Sequence, residues 1–385
     1  MKILVAIDSL KGSLSSLEAG AAIEQGIKRV YKSADITVKP LADGGEGTVE
    51  ALVSGMGGKL ITVNVTDALG EKVDAVYGMI ESKKLAVMEM AAAAGITLVE
   101  ERKRNPKNTT TYGVGEMILD AVKRGCRDFI IGIGGSATND GGMGMLEAMG
   151  VNFYNEDGGK LGPYGLDMLR VASVDASGMV PELKECTFRI ACDVENPLCG
   201  PMGAAHVYGP QKGATPQMVE QLDAGLQNYA DVIKRQLKLD NINVPGSGAA
   251  GGLGYAFVTF LQGKLEPGIS IILDTVDLEK EIKEADLIIT GEGRLDAQTA
   301  MGKAPAGVAK LAKKYDKKVI AFCGAATEDA AECNKAGMDA YFPILRCPMT
   351  VEEAMQSDTA KHNIVLTAEQ VFRLIRMCEQ SFETQ

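Results

Sequence analysis

Tryptophan is absent from this 385-residue chain, and only two histidines occur, His206 and His362, far apart in sequence. That scarcity removes several chemistries. There is no HExxH zinc motif and no GxSxG elbow to pair with either histidine. GxxxxGK[ST] is also missing, because the Gly-Lys pairs at 58, 159, 263 and 302 are followed by Leu, Leu, Leu and Ala. Any ATP site must therefore be built without a Walker A loop. The eight cysteines form no CxxC pair, and the spacing of Cys192 to Cys199 suits neither zinc nor a redox motif. Reduced thiols are expected. No basic block interrupts a net charge of −11, which argues against a nucleic-acid partner. Long apolar runs are lacking too. The opening Met1–Asp8 is too short for a signal peptide, and Leu85–Val99 is broken by Glu89 and too short to span a bilayer. A cytoplasmic protein without a membrane partner is expected.

What remains is a globular composition, 46% hydrophobic and 24% charged. Aromatics make up only 5%, so Ala, Val, Ile, Leu and the 18 methionines must fill the core. The length calls for two or three domains. Lys2–Ile7 is a continuous apolar run, the pattern of a strand buried on both faces. A helix pattern follows over Leu14–Tyr31, then a strand over Ile36–Leu41. The tail repeats the alternation, with strands at Leu287–Thr290 and Lys318–Cys323 and helices at Gly302–Tyr315 and Glu328–Ala336. This predicts a parallel sheet with helices on both faces. The middle differs. Leu60–Thr66, Lys72–Met79 and Leu85–Met90 read as short strands, with Glu81–Lys84 a hairpin turn, and a long amphipathic helix runs over Pro216–Leu237. The expected organisation is a first α/β domain from residues 1–66 and 270–385, with a second α/β domain, 67–269, inserted into it.

Five glycine-and-carboxylate loops, most of them after predicted strands, carry the chemistry. Asp8-Ser-Leu-Lys11-Gly-Ser13 sets a carboxylate and an ammonium beside a glycine, as anion binding requires; Ser13 also suits capping a helix from Leu14. Ala42-Asp43-Gly-Gly-Glu46-Gly-Thr48 offers two carboxylates for Mg²⁺, or equally for a helix N-terminus. Gly134-Gly135-Ser136-Ala-Thr138-Asn139-Asp140, after the strand Asp128–Ile133, reads as a backbone nest for phosphates. Asp193 and Lys212 stand out in the fourth stretch, Cys192–Thr215. The fifth, Gly291-Glu292-Gly-Arg294-Leu-Asp296-Ala-Gln298, with Lys303 beyond it, mixes acids and bases in the way phosphoryl transfer uses them. A further match, Gly246-x-Gly248-x-x-Gly251, imitates a dinucleotide fingerprint. The segment before it, Asp240–Pro245, is a poor strand ending in proline, so a glycine-rich helix start is the better reading.

Taken in order along nearly the whole chain, these motifs resemble the bacterial glycerate kinases. Asp-Ser-x-Lys-Gly-Ser, Ala-Asp-Gly-Gly-Glu-Gly-Thr, Gly-Gly-Ser-Ala-Thr-Asn-Asp-Gly-Gly and Gly-Glu-Gly-Arg-Leu-Asp carry the resemblance, with Ile7 where proline is expected. It implies a Rossmann-like domain with a second α/β domain inserted and the active site in the cleft between. It also implies ATP-dependent phosphorylation of D-glycerate to 2-phosphoglycerate, with Mg²⁺. On that footing Lys11 and Arg294 are expected to bind the glycerate carboxylate or the moving phosphoryl group, and Asp193 or Asp296 to take the hydroxyl proton. Asp43, Glu46 and Glu292 are the expected metal ligands. Asp8, Ser13, residues 134–136 and 138–140, Lys212, Gln298 and Lys303 are the expected substrate and phosphate contacts. The alternatives are a kinase of another small hydroxy acid or polyol, an NAD-dependent dehydrogenase using residues 246–251, or a non-catalytic sensor. Monomer and homodimer both stay open.

Overall fold

A computed structural model describes residues 1–45 and 47–382. Its strands, in chain order, are β1 Lys2–Val5, β2 Asp35–Val38, β3 Lys59–Thr66, β4 Lys72–Ile80, β5 Leu85–Glu89, β6 Asp128–Gly132, β7 Asn152–Tyr154, β8 Ser173–Asp175, β9 Thr187–Ala191, β10 Lys264–Glu266, β11 Leu287–Leu295, β12 Lys318–Ala326 and β13 Ala340–Pro343. The chain divides into two compact units. One comprises Met1–Asp43, Glu50–Gly57 and the chain from Ile269 onward; the other comprises Gly44–Val49 and Gly58–Gly268. The division falls at residue 57 rather than 66, because β3 pairs antiparallel with β4 along its whole length and so joins the second unit.

The first unit is a five-stranded, wholly parallel sheet in the order β2-β1-β11-β12-β13. Counted within the unit, this is the doubly wound order 2-1-3-4-5, whose direction reverses between β1 and β11. Both faces are covered. Ile3, Val5, Ile289 and Phe322 share a core with Ile23 and Ile27 of helix Ser16–Lys28 and with Ile364 and Phe372 of helix Ser357–Phe382. The alternate residues Leu4, Ile288 and Val319 are equally buried, and helices Leu278–Glu284 and Ala304–Lys313 contact these strands. Two-sided burial is why these strands contain continuous apolar runs.

Two local readings are corrected. Helix Ser16–Lys28 is capped by Ser15, not Ser13: Ser15 Oγ accepts from the Glu18 amide at 3.3 Å, and Glu18 Oε2 accepts from the Ser15 amide at 3.0 Å. This reciprocal capping box satisfies two helix-end donors at once. Residues 291–295, expected as a loop, continue β11, because their ladder with β12 persists to Leu295 opposite Ala326.

The second unit carries the six-stranded sheet β10-β9-β6-β5-β4-β3, parallel from β10 to β5 and antiparallel from β5 to β3. Its core contains Met88, Met90, Met117, Met143, Met145, Met149 and Met168, as expected of a chain poor in aromatics. Phe129 and Phe188, neighbours on β6 and β9, stack with ring centroids 4.9 Å apart. The long helix runs Pro216–Leu237, with Thr215 accepting from the Met218 amide at 3.3 Å. Among the described residues no helix is long and apolar enough to cross a membrane.

The GxGxxG segment has no strand before it. Ala250, Gly251 and Gly252 are left-handed, and a Cβ on Gly251 would lie 2.1 Å from the Thr138 carbonyl oxygen. These glycines permit close backbone packing, a different task from cradling a dinucleotide.

Candidate active site

In the first unit the chemistry gathers where β1 and β11 end, at the reversal of strand order. Ligands bind at this point in doubly wound sheets. The β1–β11 ladder continues past Val5: the Ala6 amide donates to the Ile289 carbonyl at 2.8 Å and the Asp8 amide to the Gly291 carbonyl at 2.9 Å. Asp8 is thereby fixed in the interior, 5% exposed. Gly291 is obligatory here, since its φ is +148° and a Cβ would meet the Phe322 carbonyl oxygen at 1.8 Å.

Burial pushes the Asp8 carboxyl up to about 7, and the nearby charges of Asp43 and Glu292 add to the rise. The Ser9 amide, donating at 2.6 Å, opposes it, and so does Lys11. Glu292 is also raised by burial; it accepts from Thr299 Oγ1 at 2.6 Å and lies 4.0 Å from Lys303 Nζ. Lys11 Nζ is 3.9 Å from Asp43 Oδ2, and Arg294 Nε is 3.8 Å from Asp296 Oδ2. Both cations are exposed, and ion pairs this long and open hold them weakly. They are free to turn toward an anion.

Asp296 has a structural task as well. Its Oδ1 accepts from the Thr299 amide at 3.2 Å, and its own amide donates to Thr299 Oγ1 at 3.3 Å, capping helix Ala297–Ala300. Gln298 is exposed on that helix, and Lys303 begins the next one. Ser13 Oγ is buried without a partner among the described residues. Glu46 lies outside the described residues.

Asp43 and Glu292, with the buried Asp8 near them, could hold Mg²⁺ in part through water. Among the described residues no group of three His, Cys, Asp or Glu could by itself hold a metal ion. Mg²⁺ commonly takes one or two carboxylates, keeps several waters and completes its shell with phosphates. The mutual repulsion of these acids is the kind of charge a divalent cation relieves.

The second unit presents the glycine loop after β6. Gly134 and Gly135 are exposed, Gly135 with φ +70°. Among the described residues the amides of Gly134, Gly135 and Ser136 donate to no protein acceptor. Successive free amides are what an anion nest requires. The polar residues beyond them point inward. Asp140 is wholly buried and accepts from Thr111 N and Oγ1, both at 2.7 Å, and from the amides of Gly142 at 3.1 Å and Gly144 at 3.2 Å. Lys212, expected as a substrate or phosphate contact, is 2% exposed; its Nζ donates to Ser136 Oγ at 2.8 Å and to the Thr138 carbonyl at 2.6 Å. Asp193 follows β9, which pairs with β6, and its Oδ1 accepts from the Gly268 amide at 3.0 Å.

Two contributors escaped the sequence reading. Thr299, which donates to Glu292, stands between Gln298 and Lys303 of the fifth loop and could have been found there. Thr111, which holds Asp140, was signalled only by the run Thr109–Thr111.

A doubly wound sheet with carboxylates and cations at its switch point defines an α/β enzyme acting on a small anion. The chain belongs to the glycerate kinase family, whose model matches residues 3–376. It is 46% identical to the glycerate kinase of Bacillus subtilis (strain 168), over 99% of this chain and 100% of that one. It is 47% identical to the glycerate 2-kinase of Escherichia coli (strain K12), over 92% and 93%. A crystal structure from Salmonella typhimurium LT2, assigned as a glycerate kinase 2, superposes with a TM-score of 0.92 at 45% identity, covering 99% of each chain.

Proposed function

We propose that this protein is an ATP-dependent glycerate kinase, transferring the γ-phosphoryl group to D-glycerate to give 2-phosphoglycerate, with Mg²⁺. One observation carries the chemistry: at the sheet's switch point a buried aspartate, Asp8, is pushed up to about 7 chiefly by burial, with the charges of Asp43 and Glu292 adding to the rise and exposed cations beside it. Phosphoryl transfer needs little covalent help from the protein; it needs positioning and charge. In this reading Asp43 and Glu292 hold Mg²⁺, which neutralises phosphate charge when bound. Lys11 and Arg294 take the glycerate carboxylate or the moving phosphoryl group. Asp296, or Asp193, accepts the hydroxyl proton. Asp8, Ser13, Gln298 and Lys303 contact the substrates, and the loop from Gly134 cradles phosphates on its free amides. The eight free cysteines support a reducing, cytoplasmic setting.

The test is ADP release with ATP and D-glycerate, beside a panel of hydroxy acids and polyols. Coupling the product directly to enolase, without a mutase, reads the 2-phosphate. A preference for another acceptor would overturn the substrate, and glycerate-dependent NADH change without ATP use would overturn the reaction.

A further inference from the structure

A buried lysine is costly unless its ammonium is hydrogen-bonded and paired. Lys212 makes its hydrogen bonds to the glycine loop. Two of its three N–H donors go to Ser136 Oγ and the Thr138 carbonyl, and Asp140 is the acid that favours its charge. The chain is shaped to deliver it. Pro210–Lys212 is a tight turn closed by Gly213 at φ +92°, where a Cβ would lie 2.4 Å from the Arg104 carbonyl oxygen. On the other side Asp140 is tied to Thr111, so the loop is clamped at both ends. Between the clamps, Thr138 Oγ1 and both amide atoms of Asn139 have no partner among the described residues, although both residues are fully buried. Unpaired buried polar atoms cost free energy, so this loop is one that a ligand or water completes.

We propose that Lys212 is a positioning residue. Through these two hydrogen bonds its amino group fixes the loop Gly134–Asn139 in its anion-receiving shape. Lys212 does not itself touch the nucleotide. The inference rests on the reading that this loop binds ATP phosphates. Burial that lowers the Lys212 ammonium to about 7 agrees with a group enclosed by protein and not by ligand oxygens.

The experiment compares three variants of the full chain. Lys212→Met should raise the KM for ATP about tenfold or more, leaving the KM for D-glycerate within a few-fold and the folded state intact by circular dichroism. Gly134→Ala tests the loop reading alone: a Cβ there meets nothing within 4 Å, so it disturbs no protein contact and only obstructs the nest. Raised ATP KM in Gly134→Ala with no change in Lys212→Met overturns the role of Lys212. No change in either overturns the nest. Should Lys212→Met fail to fold, Ser136→Ala decides, since it removes one acceptor of the ammonium. A selective rise in ATP KM supports the proposal, and an unchanged value sinks it.

Discussion

The Asp8 amide donates to the Gly291 carbonyl at 2.9 Å, tying the end of β1 to the strand that carries Glu292. The carboxyl this places in the interior rises from 3.8 to about 7, chiefly through burial. The folded chain therefore binds that proton more tightly than the unfolded chain. Stability from this group is highest in acid and falls as pH climbs from about 4 to about 7, by roughly 4 kcal/mol at most. Asp8→Asn removes the buried charge. Without Mg²⁺ the variant should melt at a higher temperature than the parent at pH 8, with a smaller difference at pH 5, and should lose turnover. Equal melting temperatures at pH 8 would contradict a buried, strained carboxylate.

Asp296 caps a helix and is also proposed to take a proton, and one substitution separates the two tasks. Asparagine caps helices about as well as aspartate, so Asp296→Asn should keep its contact to the Thr299 amide and its melting temperature. A proton acceptor so replaced should lose about 100-fold or more in kcat. Unchanged turnover in the folded variant removes Asp296 from the catalytic list. Asp193→Asn in the same assay then shows whether that residue takes its place.

Glu292 is oriented by a hydroxyl, as Thr299 Oγ1 donates to its Oε1 at 2.6 Å. Supporting hydrogen bonds of this kind tune carboxylates that hold a metal. Thr299→Val should raise the Mg²⁺ concentration for half-maximal rate by roughly tenfold, with most of kcat recovered at saturating Mg²⁺. A Mg²⁺ titration with the parent's midpoint would detach Glu292 from the metal.

The sheet of the first unit was readable because its strands are buried on both faces, which leaves continuous runs such as Lys2–Ile7. Helix Pro216–Leu237 was readable from its Thr-Pro start and its period. Residues 291–295 were not: glycines alternating with charges look like a loop, and only the ladder with β12, a tertiary pairing, makes them a strand. That difference matters for the site, because Glu292 and Arg294, two residues apart on a strand, share a face. The Ser15–Glu18 capping box was in the sequence but overshadowed by Ser13 in the preceding motif. Lys212 was recognised as a candidate, yet nothing local announces that a lysine in a Gly-Pro-Gln-Lys-Gly turn is buried. Its acceptors lie more than 70 residues away, at |i−j| of 76 and 74.

The glycines at 246–251 allow a last test, between kinase and dehydrogenase. Gly251 has φ +68°, and the Gly141 amide donates to its carbonyl at 2.9 Å. The segment thus packs against the loop proposed to cradle phosphates. A methyl group at 251 would collide with the Thr138 carbonyl and strain a left-handed residue, so Gly251→Ala should destabilise the protein by several kcal/mol, on the order of 2–5. In the parent, ATP with Mg²⁺ should raise the melting temperature and NADH should not, because only a ligand bound to the folded state stabilises it. Stabilisation by NADH would return these glycines to a cofactor role, and with it the dehydrogenase reading.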